Sequence, residues 1–195
     1  MIYLIRHGQT EFNVQGRMQG QRDSPLTPLG EDQARRMGLC LKAFIDDPAR
    51  CSVIASPLGR TRRTAEIVCE TLGLGCEIEL DPRLAEVHVG EWEGLTRAEI
   101  GARHPGLLDQ LEWIYTAPGG ESREAMEARL SAWLAGIDEN DGRRRLVVSH
   151  GAAGRVLRGL YAPGPRDEAW PPQDAVFLMH KGVVGRIDDG WEDAQ

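Results

Sequence analysis

The sequence predicts an α/β fold, a three-layer α/β/α sandwich built on a mostly parallel mixed sheet. Short apolar runs of strand length alternate along the chain with longer patterns of helical period, an order typical of α/β domains. The chain has 195 residues, of which 41% are hydrophobic and 27% charged. That length and composition suffice for one sizeable core in a globular domain. We therefore expect a single domain over residues 1–195.

Five short apolar runs are the candidate strands. They cover residues 2–5, 53–55, 146–148, 175–179 and 183–187. Lys181 and Gly182 separate the last two runs, a spacing that predicts a tight turn and an antiparallel pair at the edge of the sheet.

Four helices are predicted between these runs. Thr27 resembles an N-cap that is followed by Pro28 at the first helical position. Ser56-Pro57 repeats that signature, and Ser122 opens a third helix with apolar residues on one face. Residues 151–161 form the fourth. Helices on both faces of the sheet would complete the three layers.

Charge and hydropathy exclude several classes of partner. A net charge of −7 argues against binding to nucleic acid or to a membrane surface, because both require a basic face. No apolar run approaches the roughly 20 residues of a membrane span. Residues 1–5 are too short for a signal-peptide core, so we expect a cytoplasmic protein. The cysteines are expected to be reduced thiols, since none forms a C-x-x-C pair or lies at zinc spacing from a histidine; they are Cys40, Cys51, Cys69 and Cys76.

Cationic and imidazole side chains follow three of the predicted strands. Arg6 and His7 end the first run, Arg60 lies just beyond the second, and His150 follows the run at 146–148. Ligands of parallel sheets bind beyond the carboxyl ends of the strands, so these residues should converge. Arginine offers a fork of donors that matches phosphate oxygens, and helix N-termini nearby add further N–H groups. The pattern predicts an anion pocket.

Each of these residues alone has a more ordinary interpretation. A single histidine at a strand end is usually a hydrogen-bonded structural residue, and a single arginine in a first helical turn is usually solvated or ion-paired. Their convergence at one edge favours a functional site.

The segment 83–94 offers three candidate acids. Glu86 lies between apolar neighbours, where partial burial suits a carboxyl group for proton transfer. Glu91 and Glu93 flank Trp92 in a glycine-bounded loop and are expected to be ordinary polar loop residues. Nothing around the remaining histidines indicates a site; they are His88, His104 and His180.

Seven motifs resemble those of the histidine phosphatase superfamily, in the branch of cofactor-dependent phosphoglycerate mutases and related small phosphatases. They are LIRHGQTEFN at 4–13, GRMQG at 16–20, SPLTPLG at 24–30, SPLGR at 56–60 with TA at 64–65, LAE at 84–86 with GEWEG at 90–94, PGGES at 118–122 and VVSHG at 147–151. The resemblance covers nearly the whole chain and implies a phosphoglycerate mutase-like fold.

The resemblance also implies roles for the candidate residues. His7 would be the nucleophile, Arg6, Arg60 and His150 would hold the phosphoryl oxygens, and Glu86 would be the proton donor. Further substrate-binding positions would be Asn13, Gln19, Gly20 and Gly151. No metal or other cofactor is implied, and the partner would be a small phosphorylated metabolite.

Two departures from the family pattern bear on specificity. Arg62 and Arg63 follow Thr61 where the family often has alanine after the pocket arginine. They would either reach substrate or face solvent, and we expect them to face solvent. Gln173-Asp174 stands where an asparagine is common, so substrate preferences of relatives do not carry over directly.

Three functions remain open: a phosphatase, a phosphoglycerate mutase-type phosphotransferase, and a catalytically silent phosphate-binding module. The silent module is disfavoured because every implied catalytic residue is present. The stretch between Gly94 and Pro118 is short, whereas family mutases carry a longer insertion there with paired basic residues. Phosphatase is therefore the prediction. Trp113 and Tyr115 would either contact substrate or only pack as a cap, and the substrate and oligomeric state stay open.

Overall fold

The computed structural model describes residues 1–45, 47–75, 77–164 and 172–187. Its strands are β1 Ile2–Arg6, β2 Cys51–Ala55, β3 Ile78–Leu80, β4 Arg144–Ser149, β5 Val176–His180 and β6 Val183–Arg186. Its α-helices are α1 Glu11–Val14, α2 Pro28–Leu41, α3 Gly59–Leu72, α4 Arg97–Arg103, α5 Arg123–Ala135 and α6 Gly151–Tyr161. Five 3-10 turns join them, at Pro48–Arg50, Pro82–Leu84, Gly90–Trp92, Leu107–Asp109 and Trp113–Thr116.

The six strands form one mixed sheet in the order β3-β2-β4-β1-β5-β6. The four strands β3, β2, β4 and β1 are parallel, whereas β5 runs antiparallel to both of its neighbours. In the register of the sheet, Arg6 pairs with Ser149, and Ala55 pairs with Val148. The carboxyl ends of β1, β4 and β2 therefore meet at one edge, and the predicted fold class is confirmed.

Alternation along β1 divides the interior into two cores. Ile2 and Leu4 face one side of the sheet and pack with residues of α5 and α6. Tyr3 and Ile5 face the other side and pack with residues of α2 and α3. This period of two is what a strand buried on both faces requires.

Two of the predicted helix starts are confirmed by their caps. The Thr27 side chain accepts a hydrogen bond from the Gly30 N–H at 3.1 Å, with Pro28 at the first helical position. The Ser122 side chain accepts from the Ala125 N–H at 3.2 Å. Helix α6 has the predicted bounds, and the predicted hairpin between β5 and β6 is also present.

The prediction that Ser56 caps α3 is wrong. The helix begins at Gly59, and its N-cap residue Leu58 makes no side-chain cap hydrogen bond. Ser56 instead extends the pairing beyond β2, since its N–H donates to the Val148 carbonyl at 3.0 Å. Strand β3 and helices α1 and α4 were not predicted, because each is too short to produce a periodic pattern.

Cys40, Cys51 and Cys69 form no disulfide with one another. Cys76, the end of the predicted loop at 162–165 and the tail after Trp191 lie outside the described residues. Among the helices that the structure describes, none has the length and apolar character that a membrane crossing would need.

Candidate active site

His7 directly follows β1 and is 2% exposed. Its backbone N–H donates to the Ser149 carbonyl at 3.1 Å, and its ring Nδ1 lies 2.8 Å from the Gly8 carbonyl oxygen. Because a carbonyl only accepts, Nδ1 must carry a proton, and in the neutral ring Nε2 then keeps its lone pair. Burial, followed by the charges of Arg60 and Arg6, lowers the pKa of His7 well below its ordinary value. The ring is therefore neutral at neutral pH.

The backbone beside His7 is held by close packing. The Gly8 N–H donates to Thr64 Oγ1 at 3.2 Å, and the Thr64 hydroxyl donates to the Arg60 carbonyl at 2.8 Å. A side chain at position 8 would bring its Cβ to 2.1 Å from the Gly30 carbonyl oxygen. Glycine is required here because the start of α2 approaches the strand end so closely.

Arg60 lies in the first turn of α3 and is 1% exposed. Its guanidinium donates to the carbonyls of Gly20 at 2.7 Å and Arg22 at 3.0 Å, and to Asp23 Oδ1 at 3.3 Å. Gly20 thus lies against the predicted pocket arginine, in a left-handed conformation with φ of +55°. Burial lowers the pKa of Arg60, although its guanidinium stays charged at any working pH.

Three buried nitrogen atoms around His7 have no hydrogen-bond partner among the described residues. They are Nε of Arg6, Nε of Arg60 and Nδ1 of His150. Leaving a polar group buried and unpaired costs roughly 1–3 kcal/mol, so such atoms call for an explanation. All three belong to residues that the sequence predicts to hold phosphoryl oxygens.

His150 follows β4 and occupies the N-cap position of α6. Its Nε2 lies 2.8 Å from Ser56 Oγ, and its ring meets the His7 ring edge-on at a centroid separation of 5.2 Å. Burial, and then the charges of Arg60 and Arg6, lower the pKa of His150 well below its ordinary value. Both imidazoles of the site are therefore neutral.

Glu86 points its carboxylate at the N-terminus of α6. Oε1 accepts from the N–H groups of Val87 and Ala153, each at 3.0 Å, and Oε2 accepts from the Ala152 N–H at 3.1 Å. The Ala152 and Ala153 donors belong to the first turn of α6, at the positive end of the helix dipole, where a carboxylate is stabilised. Among the described residues Oε2 has one such contact, so it keeps a lone pair for proton exchange.

The residues that hold the Glu86 segment were not among the predicted site residues. Arg129 on α5 donates to the carbonyls of Arg83 at 2.6 Å and Ala85 at 2.7 Å. Its guanidinium also forms an ion pair with Glu121, Nε to Oε1, at 2.6 Å. Glu121 lies in the PGGES motif, which the sequence resemblance includes, whereas its partner Arg129, eight residues later, lies in no such motif.

The remaining predicted substrate-binding residues line the same cleft as His7, Arg6, Arg60 and Glu86; they are Asn13, Gln19, Gly20 and Gly151. Asn13 Oδ1 accepts from the Thr10 N–H at 3.0 Å and from Gln173 Nε2 at 2.8 Å. Gln19 Oε1 accepts from the Thr10 hydroxyl at 3.0 Å. Gln173, one of the departures from the family pattern, therefore contacts a residue of the pocket wall.

The two competing acids, Glu91 and Glu93, do not line the cleft. Glu93 accepts from the Gln21 N–H at 2.8 Å and lies 3.6 Å from His88 Nε2, and Glu91 is exposed. Of the three acids in this segment, Glu86 is the one that lines the cleft.

The cleft has a volume of about 1540 Å³ and extends under the segment that carries Trp113 and Tyr115. Trp113 packs against Trp92 at a ring separation of 5.5 Å and has the Arg97 guanidinium 5.3 Å from its centroid. Burial, and then the charge of Glu86, raise the pKa of Tyr115 to about 12. Both aromatic residues pack in the cap and also line the cleft.

The charged residues at the two departures from the family pattern do not line the cleft; they are Arg62, Arg63 and Asp174. Arg62 is exposed, and Arg63 pairs with Glu31 at 3.0 Å and Glu66 at 3.5 Å. Asp174 pairs with Arg36 at 3.4 Å. Within the described ranges, no three histidine, cysteine, aspartate or glutamate side chains are grouped so as to hold a metal ion.

Comparison with known proteins gives a consistent result. The sequence profile of the histidine phosphatase superfamily (branch 1) matches residues 2–176. The probable phosphoglycerate mutase GpmB of Salmonella paratyphi C is 40% identical over 158 residues, which are 78% of this chain and 70% of that protein.

Two solved structures are similar over most of their length. Bacillus stearothermophilus YhfR is 33% identical with a TM-score of 0.77, covering 95% of this chain and 94% of that one. The mycobacterial glucosyl-3-phosphoglycerate phosphatase Rv2419c, in a complex with VO3, is 30% identical with a TM-score of 0.73, covering 90% of each chain.

Proposed function

The chain belongs to the histidine phosphatase superfamily (branch 1), and from this premise we propose that it hydrolyses a small phosphate monoester through a phosphohistidine on His7. The observation that carries the proposal is the environment of the His7 ring. A neutral imidazole with an available Nε2 lies in the same cleft as Arg6 and Arg60 and against the His150 ring, and each of these three residues has a buried nitrogen atom that lacks a partner among the described residues. Such an arrangement suits an anion that has several oxygen atoms to be bound at once.

In the first step, His7 Nε2 attacks the phosphorus atom and the bond to the ester oxygen breaks. The guanidinium groups of Arg6 and Arg60 and the His150 ring donate to the phosphoryl oxygens, where charge is concentrated in the transition state. Glu86, protonated at this stage, gives its proton to the leaving oxygen, and an alcohol departs. The products of the step are phosphohistidine and an ionised Glu86.

In the second step, a water molecule attacks the same phosphorus atom while Glu86 takes one of its protons. The bond between phosphorus and Nε2 breaks, so inorganic phosphate and the neutral His7 ring are regenerated. One set of donors serves both transition states because the phosphoryl group stays between the same cations. These cations supply the charge stabilisation, so we propose that the reaction needs no metal ion.

A mutase is the second candidate, and the relative named probable phosphoglycerate mutase GpmB favours it. In a mutase the phosphoryl group would return to a bound sugar acid instead of passing to water. We prefer hydrolysis because the segment between Gly94 and Pro118 is short, consisting of α4 and two 3-10 turns. The similar mycobacterial structure is that of a phosphatase, which also supports this choice.

The proposal is tested by measuring phosphate release from a panel of monoesters in EDTA. The panel contains phosphosugars, phosphoglycerates, nucleoside 5′-phosphates, α-ribazole phosphate and an activated aryl phosphate. We expect release without added metal, and no interconversion of phosphoglycerate isomers. Interconversion without release would establish the mutase, and no reaction with any ester would favour the silent binding module. Loss of activity in EDTA with recovery in magnesium would refute the proposed mechanism.

The covalent intermediate is tested by rapid quenching into alkali during turnover. A phosphoramidate that is labile in acid and stable in base should be found on the peptide that contains His7. His7→Ala should lose both the label and turnover. The matched control is His104→Ala, at an exposed histidine that does not line the cleft, and it should keep both. Label on His150 would contradict the assignment.

A further inference from the structure

Ser56 and His150 meet where two neighbouring strands, β2 and β4, reach their carboxyl ends. The Ser56 Oγ atom lies 2.8 Å from His150 Nε2. Both residues are buried, with Ser56 0% exposed and His150 2% exposed. The other ring nitrogen, Nδ1, is buried and has no hydrogen-bond partner among the described residues. The two nitrogens of this histidine are therefore in different environments.

The Ser56 hydroxyl is held in place by the backbone on both sides. The backbone N–H of Ser56 donates to the Val148 carbonyl at 3.0 Å, and the backbone carbonyl of Ser56 accepts from the Thr61 hydroxyl at 2.8 Å. The Leu58 N–H approaches Ser56 Oγ at 3.5 Å, at the limit of a hydrogen bond, and would occupy a lone pair of the oxygen. In the described part of the chain, His150 Nε2 is the acceptor within reach of the hydroxyl hydrogen.

A neutral histidine has one donor nitrogen and one acceptor nitrogen. The His150 ring is neutral at neutral pH, because burial and the nearby charges of Arg60 and Arg6 lower its pKa. The tautomer consequently decides which nitrogen can donate to an anion. If Nε2 accepts from Ser56, the ring proton must lie on Nδ1.

We propose that Ser56 is a positioning residue that donates its hydroxyl hydrogen to His150 Nε2 and so keeps the ring proton on Nδ1, which donates to a phosphoryl oxygen. The inference rests on the proposed function, since its acceptor is the phosphoryl group at His7. The edge-on contact of the two rings, 5.2 Å between centroids, brings His150 close to that group. In the reverse tautomer Nδ1 would present a lone pair to an anion, and the two would repel each other.

The tautomer is measured by two-bond nitrogen–proton correlation NMR on the full chain in the absence of ligand. His150 is assigned by the signals that disappear in His150→Asn. We expect a protonated Nδ1 and an unprotonated Nε2 in the wild type, and a larger fraction of protonated Nε2 in Ser56→Ala. A wild-type His150 protonated on Nε2 would overturn the inference, and this result does not depend on whether the variant folds.

The donor role is measured separately by adding inorganic phosphate to the wild type. The Nδ1 proton resonance of His150 should shift as phosphate binds, and an unchanged resonance would refute the donor role. An inactive protein whose resonance still responds to phosphate would refute the proposed function while supporting this inference. The two hypotheses therefore fail in different experiments.

Turnover provides the last arm of the test. We expect kcat of Ser56→Ala to fall on the order of 10- to 100-fold, as when a partner that orients a functional histidine is removed. Ser56→Thr keeps a hydroxyl and should recover part of the loss. Ser52→Ala, on strand β2 and outside the cleft, is the matched control and should be unchanged. A changed tautomer in Ser56→Ala with undiminished kcat would overturn the proposed role.

Discussion

Arg129 and Glu121 form a two-bond ion pair, with Nε to Oε1 at 2.6 Å and Nη2 to Oε2 at 2.8 Å. Both side chains are largely buried, at 18% and 15% exposed. The remaining donor of the guanidinium binds the carbonyls of Arg83 and Ala85. The pair thus ties α5 to the segment that carries Glu86.

Arg129→Ala should therefore lower the free energy of unfolding by about 2–3 kcal/mol, because hydrogen bonds to a charged group are lost and partly buried acceptors remain. Turnover of alkyl phosphates should fall as well, since the backbone at Glu86 is released. Denaturant unfolding and kcat measure the two effects. Arg35→Ala removes an exposed pair with Glu31 and is the control, with an expected loss of less than about 0.5 kcal/mol. Equal losses of unfolding free energy in both variants would show that the contacts of Arg129 stabilise the fold no more than an exposed ion pair does.

Arg60 combines charge in the cleft with hydrogen bonds to the loop at Gly20 and Arg22. Arg60→Ala should reduce kcat/KM to an extent that corresponds to the loss of on the order of 3 kcal/mol of transition-state stabilisation. It should also lower the free energy of unfolding. Arg60→Lys should recover only part of the rate because the fork of donors is lost. Asp23→Asn keeps the arginine while weakening its contact with Asp23, so its rate loss should be far smaller. Near-normal kinetics in Arg60→Ala would place this residue outside the site.

The proton-donor role of Glu86 predicts a dependence on the leaving group. Glu86→Gln should slow esters of poor leaving groups by on the order of 10²- to 10⁴-fold. An activated aryl phosphate, whose leaving group hardly needs a proton, should lose much less. The matched control is Glu91→Gln, at an exposed acid of the same segment that does not line the cleft. Similar losses on both esters would assign the proton to another acid.

Much of the site was predictable because its residues follow strands. Arg6, His7 and His150 each come next to an apolar run, and parallel strands bring their carboxyl ends to one edge. The family assignment and the class of enzyme, a histidine phosphatase, are confirmed by the match over residues 2–176. The roles of individual residues remain proposals.

What could not be predicted depends on contacts between distant parts of the chain. Ser56-Pro57 has a helix-start signature, yet the serine pairs with His150, 94 positions away. Arg129 resembles any surface arginine of an amphipathic helix until its contacts with Arg83 and Ala85 are known. Local patterns specify elements and strand ends, whereas such contacts depend on tertiary packing.

The two neutral histidines of the site predict how stability depends on pH. Burial and the charges of Arg60 and Arg6 hold the pKa of both His7 and His150 below the value of about 6.5 expected in an unfolded chain. Between the folded and unfolded values, the unfolded state binds more protons, so stability rises with pH. The contribution is complete above about pH 6.5 and is lost as the pH falls below it.

We expect the free energy of unfolding to decrease on acidification from pH 7.5 to 5.5 by up to about 1.4 kcal/mol per pH unit for each histidine below its unfolded pKa. Denaturant unfolding at several pH values measures this slope, in a buffer without phosphate because a bound anion would stabilise the folded state. His7→Gln and His150→Gln should each reduce the slope of the free energy of unfolding against pH, because each variant lacks one buried imidazole. The reduction is at most the contribution of one bound proton. His104→Gln, at an exposed histidine, should keep the full slope. An identical slope in all of these proteins would show that the buried imidazoles do not control the acid sensitivity.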